Sequence, residues 1–309
     1  MKLAVLAGGV GAARFLRGLS GVTDPQSLTA IVNTADDFLH FGLHISPDID
    51  TVCYTLAGIV DEARGWGVGG DGTACLEMLS RLGEETWFQL GDRDLALHLT
   101  RTRRLGEGAP LSAVTEEIRS ALGVPVAILP VTDDPVATEI ETPEGTLPFQ
   151  EYFVRRACRD KVLGVSFRGA EQARPAPGVR EALASAAGIV ISPSNPVVSI
   201  APILAVPGLL DAIAESGAPV VAISPIIGGR TVKGPAANML RDLGHEASAL
   251  GVARLYEKLA TTFVLDTVDA PLAPAIESLG MRVLVCDTLM ADAERARRLA
   301  TAVVGLIRP

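Results

Sequence analysis

Short apolar segments alternate along this chain with segments whose apolar residues recur at helical spacing. Eight runs are apolar on both faces and rich in β-branched residues, which is typical of strands buried between two layers of helices. They span residues 2–7, 28–33, 124–129, 162–167, 188–192, 219–224, 262–266 and 282–286. Helical patterns fall near 11–20, 50–63, 72–82, 93–104, 111–122, 205–216, 235–244, 250–261 and 289–306. The alternation predicts an α/β fold with a Rossmann-like, doubly wound and mostly parallel sheet.

The middle of the chain fits this alternation less well. Residues 65–180 contain loops rich in glycine and proline, and residues 138–151 have the pattern of a hairpin. A length of 309 residues suits one large domain that carries a sizeable insertion. We therefore predict a single domain over 1–309, in which about 65–180 form an inserted α+β subdomain that covers the active edge of the sheet.

Polar or glycine-rich loops follow four of the predicted strands directly. They span residues 8–11, 33–37, 192–196 and 224–230. In an open α/β sheet, ligands bind outside the carboxyl ends of the strands. We therefore expect the four loops to converge on one crevice.

The first loop, Gly8-Gly9-Val10-Gly11, opens a predicted helix. Glycines let the backbone approach a phosphate, and the helix N-terminus offers N–H donors to it, so Gly9 and Gly11 are candidate phosphate contacts. This first loop has neither the G-x-G-x-x-G pattern of dinucleotide-binding proteins nor the G-K-[ST] of a P-loop. The alternative is a purely structural role, in which the loop is a tight turn required only for packing of the helix on the strand.

Carboxylates and histidines are concentrated in residues 36–50, which contain four aspartates and two of the four histidines. Adjacent Asp36 and Asp37 after a strand are candidate ligands of Mg²⁺ near phosphates. Each residue also has a structural interpretation: Asp48 as a helix cap, Asp50 as a first-turn carboxylate, and His40 as a packed loop histidine. Asp37, Asp50 and His40 are all candidate general bases, and the sequence does not choose among them.

Composition and charge narrow the function further. The net charge of -9, with no basic cluster to offset it, argues against a nucleic-acid partner. No apolar run reaches the roughly 20 residues that a membrane helix needs, so no membrane association is expected. The four cysteines show no C-x-x-C spacing, which argues against a zinc site or a disulfide framework and predicts a cytoplasmic protein.

A long, ordered set of motifs covers residues 3 to about 240. It comprises G-G-V-G-A-A-R-F-L, N-T-A-D-D, I-S-P-D-I-D-T, W-F-Q-L-G-D-R-D-L-A, T-D-D-P-V, F-Q-E-Y-F-V, S-P-S-N-P and G-G-R-T-V-K-G-P. This set resembles the 2-phospho-L-lactate transferase family of coenzyme F-420 biosynthesis.

The resemblance implies a Mg²⁺-dependent enzyme that is usually a homodimer. Such an enzyme joins the deazaflavin Fo (7,8-didemethyl-8-hydroxy-5-deazariboflavin) to an acid carried on a guanosine diphosphate donor and releases GMP. The acid is lactate in archaeal members and enolpyruvate in actinobacterial ones. This sequence does not decide whether the acid on its donor is lactate, enolpyruvate or glycerate. Asp50 falls on a contact to Fo. A second Fo contact, usually a basic residue, falls on Gln89, whose amide carries no charge.

On this interpretation, the loop containing Ser194 and Asn195 reads guanine, because an asparagine amide both donates and accepts. Gly229, Arg230 and Lys233 clamp the donor. One competing hypothesis is a non-catalytic, nucleotide-sugar-binding regulator of the gluconeogenesis-factor type, which has a similar fold and a glycine-rich opening. A dinucleotide oxidoreductase is a third hypothesis, and the lack of G-x-G-x-x-G in the loop after the first strand counts against it.

Overall fold

A seven-stranded parallel sheet forms the centre of the fold in the computed structural model, which describes residues 1–307. The strands are β1 (Leu3–Ala7), β2 (Leu28–Val32), β3 (Phe38–His40), β4 (Leu43–Ile45), β5 (Ala127–Pro130), β6 (Ala137–Thr142), β7 (Gly145–Pro148), β8 (Gly164–Arg168), β9 (Gly188–Ile191), β10 (Val220–Ile223), β11 (Ile226–Ile227), β12 (Arg230–Thr231), β13 (Thr262–Asp266) and β14 (Arg282–Cys286). Strand order in the large sheet is β14-β13-β10-β9-β1-β2-β5, and all of its neighbouring pairs are parallel.

Helices cover both faces of this sheet, which confirms the predicted doubly wound α/β class. They are α1 (Gly9–Ser20), α2 (Pro47–Leu56), α3 (Ala74–Arg81), α4 (Asp92–Gly106), α5 (Leu111–Ala121), α6 (Val179–Ala184), α7 (Ala201–Leu204), α8 (Leu209–Glu215), α9 (Ala236–Asp242), α10 (Ala249–Leu255), α11 (Ala273–Glu277) and α12 (Ala293–Ile307). Alternate side chains of β1 enter two separate cores. Val5 belongs to the core that contains residues of α1, α2 and α12, whereas Leu6 belongs to the core that contains residues of α6 to α11.

The strand order reverses beside β1. From β1 the chain builds β2 and β5 on one side, and β9, β10, β13 and β14 on the other. In doubly wound sheets such a reversal opens a crevice at the carboxyl ends of the two strands that flank it. Here those strands are β1 and β9, so the loops that follow them border the expected ligand site.

The middle of the chain contributes α3, α4, α5 and a small antiparallel sheet of order β7-β6-β8. The predicted hairpin is confirmed as β6 and β7. The run predicted at 162–167 does form a strand, β8, but it pairs antiparallel with β6 outside the large sheet. Strand β5 joins the large sheet beside β2. The description of 65–180 as an inserted subdomain stays a prediction.

Helix α2 begins earlier and ends earlier than its apolar pattern predicted. Pro47 occupies the first turn, where its missing N–H is tolerated, and Gly58 closes the segment with a φ of 72°. Across residues 1–307, no single helix is long and apolar enough to cross a membrane. Two consecutive helical segments that meet at a bend, Pro196–Leu204 and Leu209–Glu215, together reach the length and apolar composition of a membrane span, and only these two properties support that assignment.

Candidate active site

A cavity of about 750 Å³ lies at the carboxyl ends of β1 and β9. Its volume falls within the range of roughly 300–1,000 Å³ that small-molecule sites occupy. All four predicted loops contribute to its lining, the second of them through Asp36. The convergence follows from the parallel sheet, because the carboxyl ends of all its strands meet at one edge.

The loops after β1 and β9 are bonded to each other. The Ser194 hydroxyl donates to the Gly8 carbonyl at 2.7 Å and accepts from the Gly8 N–H at 3.4 Å. Gly9 has a φ of 71°, a conformation that favours glycine. A Cβ on Gly11 would lie 2.2 Å from the Pro193 carbonyl oxygen, so only glycine permits this approach. Ser194 therefore holds the glycine loop in place, and Gly9 and Gly11 both line the cavity.

Asn195 also lines the cavity, but part of its amide is already engaged. Its Oδ1 accepts from the Val197 N–H at 2.9 Å and caps the turn that follows, and its Nδ2 lies 3.6 Å from Met239 Sδ. The side chain thus offers a ligand mainly its Nδ2 donor.

Asp48 connects the glycine loop to β2 and α2. Its Oδ1 accepts from the Gly9 N–H at 2.8 Å, and its Oδ2 accepts from Asn33 Nδ2 at 3.0 Å. Burial outweighs these hydrogen bonds and raises the pKa of Asp48 to about 6. Asp48 is therefore more than the helix cap that its position at the start of α2 suggests.

Asp36 lies in the same cavity with one oxygen unsatisfied. It is 5% exposed, and its buried Oδ1 has no hydrogen-bond partner. Burial, followed by the negative charge of Asp48, raises the pKa of Asp36 well above its ordinary value. Two buried carboxylates that repel each other favour either a bound proton or a bound cation between them.

The structure does not bring Asp37 or His40 into the cavity lining. Asp37 Oδ2 accepts from the Ser46 hydroxyl at 2.6 Å and lies 3.1 Å from His44 Nε2. The His40 ring packs on Phe41 and Trp87, with centroids 4.2 and 5.2 Å apart, and burial lowers the pKa of His40. Both side chains therefore hold the β3–β4 hairpin in place.

Asp50 lines the cavity and belongs to a buried polar network between α2 and α4. Both of its oxygens accept from the Arg101 guanidinium, with Nη1 3.0 Å from Oδ2. Arg101 Nη1 also donates to His98 Nδ1 at 3.3 Å, and His98 Nε2 lies 3.3 Å from Asp94 Oδ1. The Tyr54 hydroxyl donates to the same Asp94 oxygen. Burial lowers the pKa of Arg101, but the charge of Asp50 raises it more, so the guanidinium stays protonated.

Three cations line the cavity beside the glycine loop. Arg14 donates to the carbonyls of Met290 and Glu62, and Lys233 donates to the carbonyl of Arg64. The Arg64 guanidinium lies 5.4 Å above the Trp66 ring. Burial, followed by the charge of Arg14, lowers the pKa of Lys233. Neither Arg14 nor Lys233 makes an ion pair among the described residues, which suits a site for an anion.

The remaining predicted contacts divide. Gln89 and Lys233 line the cavity, whereas Gly229 and Arg230 do not. Arg230 is exposed on the short strand β12. Sequence reasoning did not identify Arg64, Tyr54, Asp94, His98 or Arg101 as part of the site.

A pH dependence of stability is expected from Asp48 when divalent cations are absent. In the unfolded chain an aspartate has a pKa of about 3.9, whereas the folded value is about 6. Between these values the folded state retains a proton that the unfolded state has released, so this group lowers the free energy of unfolding as pH rises from about 4 to about 6. The contribution is of the order of 2–3 kcal/mol.

The measurement is urea unfolding in chelator at pH 4.5, 5.5 and 6.5, for the wild type and Asp48→Asn. Other carboxylates titrate in the same range, so the difference between the two proteins reports Asp48 together with its effect on Asp36. The wild type is expected to lose stability relative to the variant as pH rises; parallel curves would contradict the raised pKa.

Comparison with known families and proteins gives consistent matches over the whole chain. The family model described as 2-phospho-L-lactate transferase CofD matches residues 3–302. A phosphoenolpyruvate transferase of Streptomyces griseus is 45% identical over 312 residues, covering 99% of this chain and 98% of the relative. A 2-phospho-L-lactate transferase of Methanosarcina acetivorans is 39% identical over 302 residues, covering 98% of each chain.

The fold also has a solved counterpart. A UPF0052-family protein from Bacillus halodurans superimposes with a TM-score of 0.64 and 16% sequence identity, covering 98% of each chain. At that identity the match supports the doubly wound fold alone.

Proposed function

Since this chain belongs to the 2-phospho-L-lactate transferase CofD family, we propose that it moves a phosphate-linked acid from a guanosine diphosphate donor to the terminal ribityl hydroxyl of Fo. It is a transferase of the 2-phospho-L-lactate or phosphoenolpyruvate type in coenzyme F-420 biosynthesis. The observation that supports the finer proposal is one cavity, which combines a glycine loop and unpaired cations with carboxylates and aromatic rings.

The proposed reaction is phosphoryl transfer. The ribityl oxygen forms a bond to the phosphorus that bears the acid, the bond from that phosphorus to the bridging diphosphate oxygen breaks, and GMP leaves. The hydroxyl proton passes to solvent or to the phosphate group of the released GMP. Such a reaction depends mainly on alignment and on stabilisation of charge at the moving phosphoryl group.

The diphosphate of the donor is assigned to the glycine loop and its cations. The Gly9 N–H already donates to Asp48, so the donors for an anion beside Gly9 are the next N–H groups in the first turn of α1, including that of Gly11. Arg14 and Lys233 supply positive charge beside them. Guanine is assigned to the loop after β9, through Asn195 Nδ2 and neighbouring backbone groups, while Ser194 supports the glycine loop.

Asp36 and Asp48, which both line the cavity, fit a Mg²⁺ site. No group of three or more His, Cys, Asp or Glu side chains within residues 1–307 is arranged to hold a metal by itself. Mg²⁺ near phosphates commonly takes one or two protein carboxylates and completes its shell with phosphate oxygens and water. The unpartnered Oδ1 of Asp36 and the repulsion between the two carboxylates suit that role. When bound, the ion would stabilise negative charge on the phosphoryl group.

Asp37 was predicted as the alternative metal ligand and as a general base, and it is a poorer candidate. Its Oδ2 is held by Ser46 and His44, away from the cavity lining. His40 lies in the aromatic cluster and is a poorer base candidate for the same reason. Asp50 does line the cavity, so its carboxylate can accept a hydrogen bond from a hydroxyl of Fo.

The acceptor is assigned to the part of the cavity that Asp50, Trp87, Phe88 and Gln89 line. The ring centroids of Phe38 and Phe88 lie 6.1 and 5.8 Å from that of Trp87. A deazaflavin offers a planar ring for such a cluster and a ribityl chain whose hydroxyls can donate to Asp50. The chain has two tryptophans, and both line the cavity, which permits a direct test.

Trp87→Leu is expected to weaken Fo binding about 2- to 10-fold, since an aromatic pair contributes roughly 0.5–1.5 kcal/mol. The matched control is Trp66→Leu. The Trp66 ring lies beneath the Arg64 guanidinium. Trp66 also follows Gly65, where an added Cβ would be 3.5 Å from Lys233 Nζ. Trp66 is therefore in the cationic part of the cavity, which is assigned to the donor. Titration of Fo fluorescence measures both. A larger effect of Trp66→Leu would assign the acceptor to the cationic part of the cavity.

The decisive experiment is incubation of the protein with Fo, Mg²⁺ and each of three donors, whose acid is lactate, enolpyruvate or glycerate, followed by mass analysis. Transfer of one acid-phosphate group to Fo, with stoichiometric GMP, is the expected result. The absence of product with all three donors would overturn the proposal. A regulator of the gluconeogenesis-factor type, which the comparisons do not favour, would bind a nucleotide without binding Fo. The homodimer that the family implies stays a prediction, which light scattering checks.

A further inference from the structure

The buried network around Asp50 contains groups to which the proposed chemistry gives no role so far. Arg101 is 0% exposed, His98 1% and Tyr54 1%. Asp50 and Tyr54 come from α2, one helical turn apart; Asp94, His98 and Arg101 come from one face of α4. A network of this kind is costly to bury unless its charges and hydrogen bonds are matched.

The hydrogen-bond roles of the two His98 ring nitrogens follow from their neighbours. Arginine can only donate, so Nδ1 is the acceptor in the contact of Arg101 Nη1 with His98 Nδ1 at 3.3 Å; Asp50 Oδ2 lies farther from Nδ1, at 3.7 Å. A neutral imidazole then carries its hydrogen on Nε2, which faces Asp94 Oδ1 at 3.3 Å. The alignment of this second contact is too poor for a full hydrogen bond, so it acts through charge–dipole attraction. His98 is therefore a bridge with one defined tautomer.

The orientation of Arg101 depends on this bridge. Its Nε is buried without a partner, so the guanidinium is held only through its two terminal nitrogens. Those nitrogens bind both oxygens of Asp50, and Nη1 also contacts His98 Nδ1 and the His44 carbonyl. A two-pronged contact fixes the plane of the Asp50 carboxylate to the plane of the guanidinium. Arg101 also neutralises Asp50, which would otherwise repel a diphosphate in the same cavity.

We propose that Arg101, oriented by His98, is a positioning residue that fixes Asp50 so that its remaining lone pairs face the acceptor hydroxyl. This inference rests on the proposed function, in which Asp50 holds the acceptor. Asp50 then serves as an oriented hydrogen-bond acceptor. The network acts on the acceptor and leaves the donor contacts unchanged, because the glycine loop, Arg14 and Lys233 make none of its hydrogen bonds.

The test compares His98→Leu with His98→Gln. Leucine removes both ring nitrogens, whereas glutamine keeps an oxygen to accept from Arg101 and an N–H to face Asp94. For His98→Leu, the dissociation constant of Fo is expected to rise at least about tenfold and that of GDP with Mg²⁺ to change less than twofold. His98→Gln is expected to restore Fo binding to within about threefold of the wild type. Tyr54→Phe, which removes one donor to Asp94 only, gives a smaller loss if His98→Leu does not fold.

Three outcomes would overturn the inference: unchanged Fo binding in His98→Leu, equal weakening of Fo and GDP, or failure of glutamine to restore binding in a variant that melts like the wild type. The ¹⁵N NMR signal of His98, assigned by its loss in His98→Gln, gives a test that needs no ligand. It is expected to report the Nε2–H tautomer, and an Nδ1–H signal would refute the bridge. Wild-type protein that shows this tautomer but binds no Fo would instead overturn the proposed function and the positioning role with it.

Discussion

Asp36→Asn is expected to lower kcat at least about a hundredfold, equivalent to roughly 2.7 kcal/mol in the barrier. Asparagine keeps the shape of the side chain and removes one negative charge. Asp36 lines the cavity with an unpartnered Oδ1, and Asp48 lies close enough to raise its pKa, so the substitution weakens the proposed cation site. The affinity for Fo is expected to change little, because Fo is neutral near this carboxylate and contacts other residues. Initial rates with saturating Fo and donor, measured across a Mg²⁺ titration, test this.

Asp37→Asn is the matched control, since it makes the same chemical change one residue along the chain. Asp37 is held by Ser46 and His44 outside the cavity lining, so its loss is expected to lower kcat less than about tenfold. The reverse order of the two effects would return the metal to Asp37. Near wild-type turnover of both variants at limiting Mg²⁺ would show that neither residue binds the ion, and would leave Asp48 with Asp50 as the pair to test.

Much of the fold could be predicted because its strands are apolar on both faces. Strands β13 and β14 have the same bounds in the structure as in the sequence pattern. The pattern did not show which sheet a strand joins. The pattern at 162–167 predicted another buried strand, yet β8 lies in the small antiparallel sheet, and its residues are partly buried or exposed. Sheet membership depends on long-range pairing, which local hydrophobicity does not encode.

The parts of the candidate site that could be predicted are the loops whose position is set by the strands they follow. The glycine loop and the loop after β9 border the cavity because the sheet topology places them there. The roles of adjacent aspartates were not predictable in this way. Asp36 and Asp37 are neighbours in sequence, but their side chains diverge, and only the three-dimensional contacts of Asp37 with the β3–β4 hairpin show which one lines the cavity.

Helix α4 shows why the network around Asp50 was missed. The helix contains both leucines and charged residues, and an amphipathic pattern predicts that leucines are buried and charges are in solvent. The structure has the opposite arrangement at two positions: Leu99 is 58% exposed, whereas Arg101 is fully buried. A buried polar face becomes favourable only when another helix supplies matching partners, here Asp50 and Tyr54 from α2. The spacing of Asp94, His98 and Arg101 on one helix face was the available signal.

Gly11→Ala is expected to weaken donor binding at least about tenfold and to lower the free energy of unfolding by about 1–3 kcal/mol. An added Cβ would lie 2.2 Å from the Pro193 carbonyl oxygen, which is backbone and cannot rotate away. Gly11 lies in the first turn of α1 with a conformation that alanine adopts freely, so the contact with Pro193 is the whole cause. Relief requires the loops after β1 and β9 to move apart. That movement displaces the N–H groups assigned to the diphosphate and disturbs the contact between Ser194 and Gly8.

Gly305→Ala is the matched control for this substitution. Gly305 lies inside α12, and a Cβ there meets nothing within 4 Å, so alanine is expected to stabilise the protein by about 0.5–1 kcal/mol. Calorimetric titration with GDP and Mg²⁺, together with urea unfolding, separates the two effects. Gly305→Ala should bind GDP like the wild type. If Gly11→Ala also binds GDP normally while it loses stability, the close approach of the two loops serves packing alone, and the diphosphate must be held by the cations and by the loop after β10.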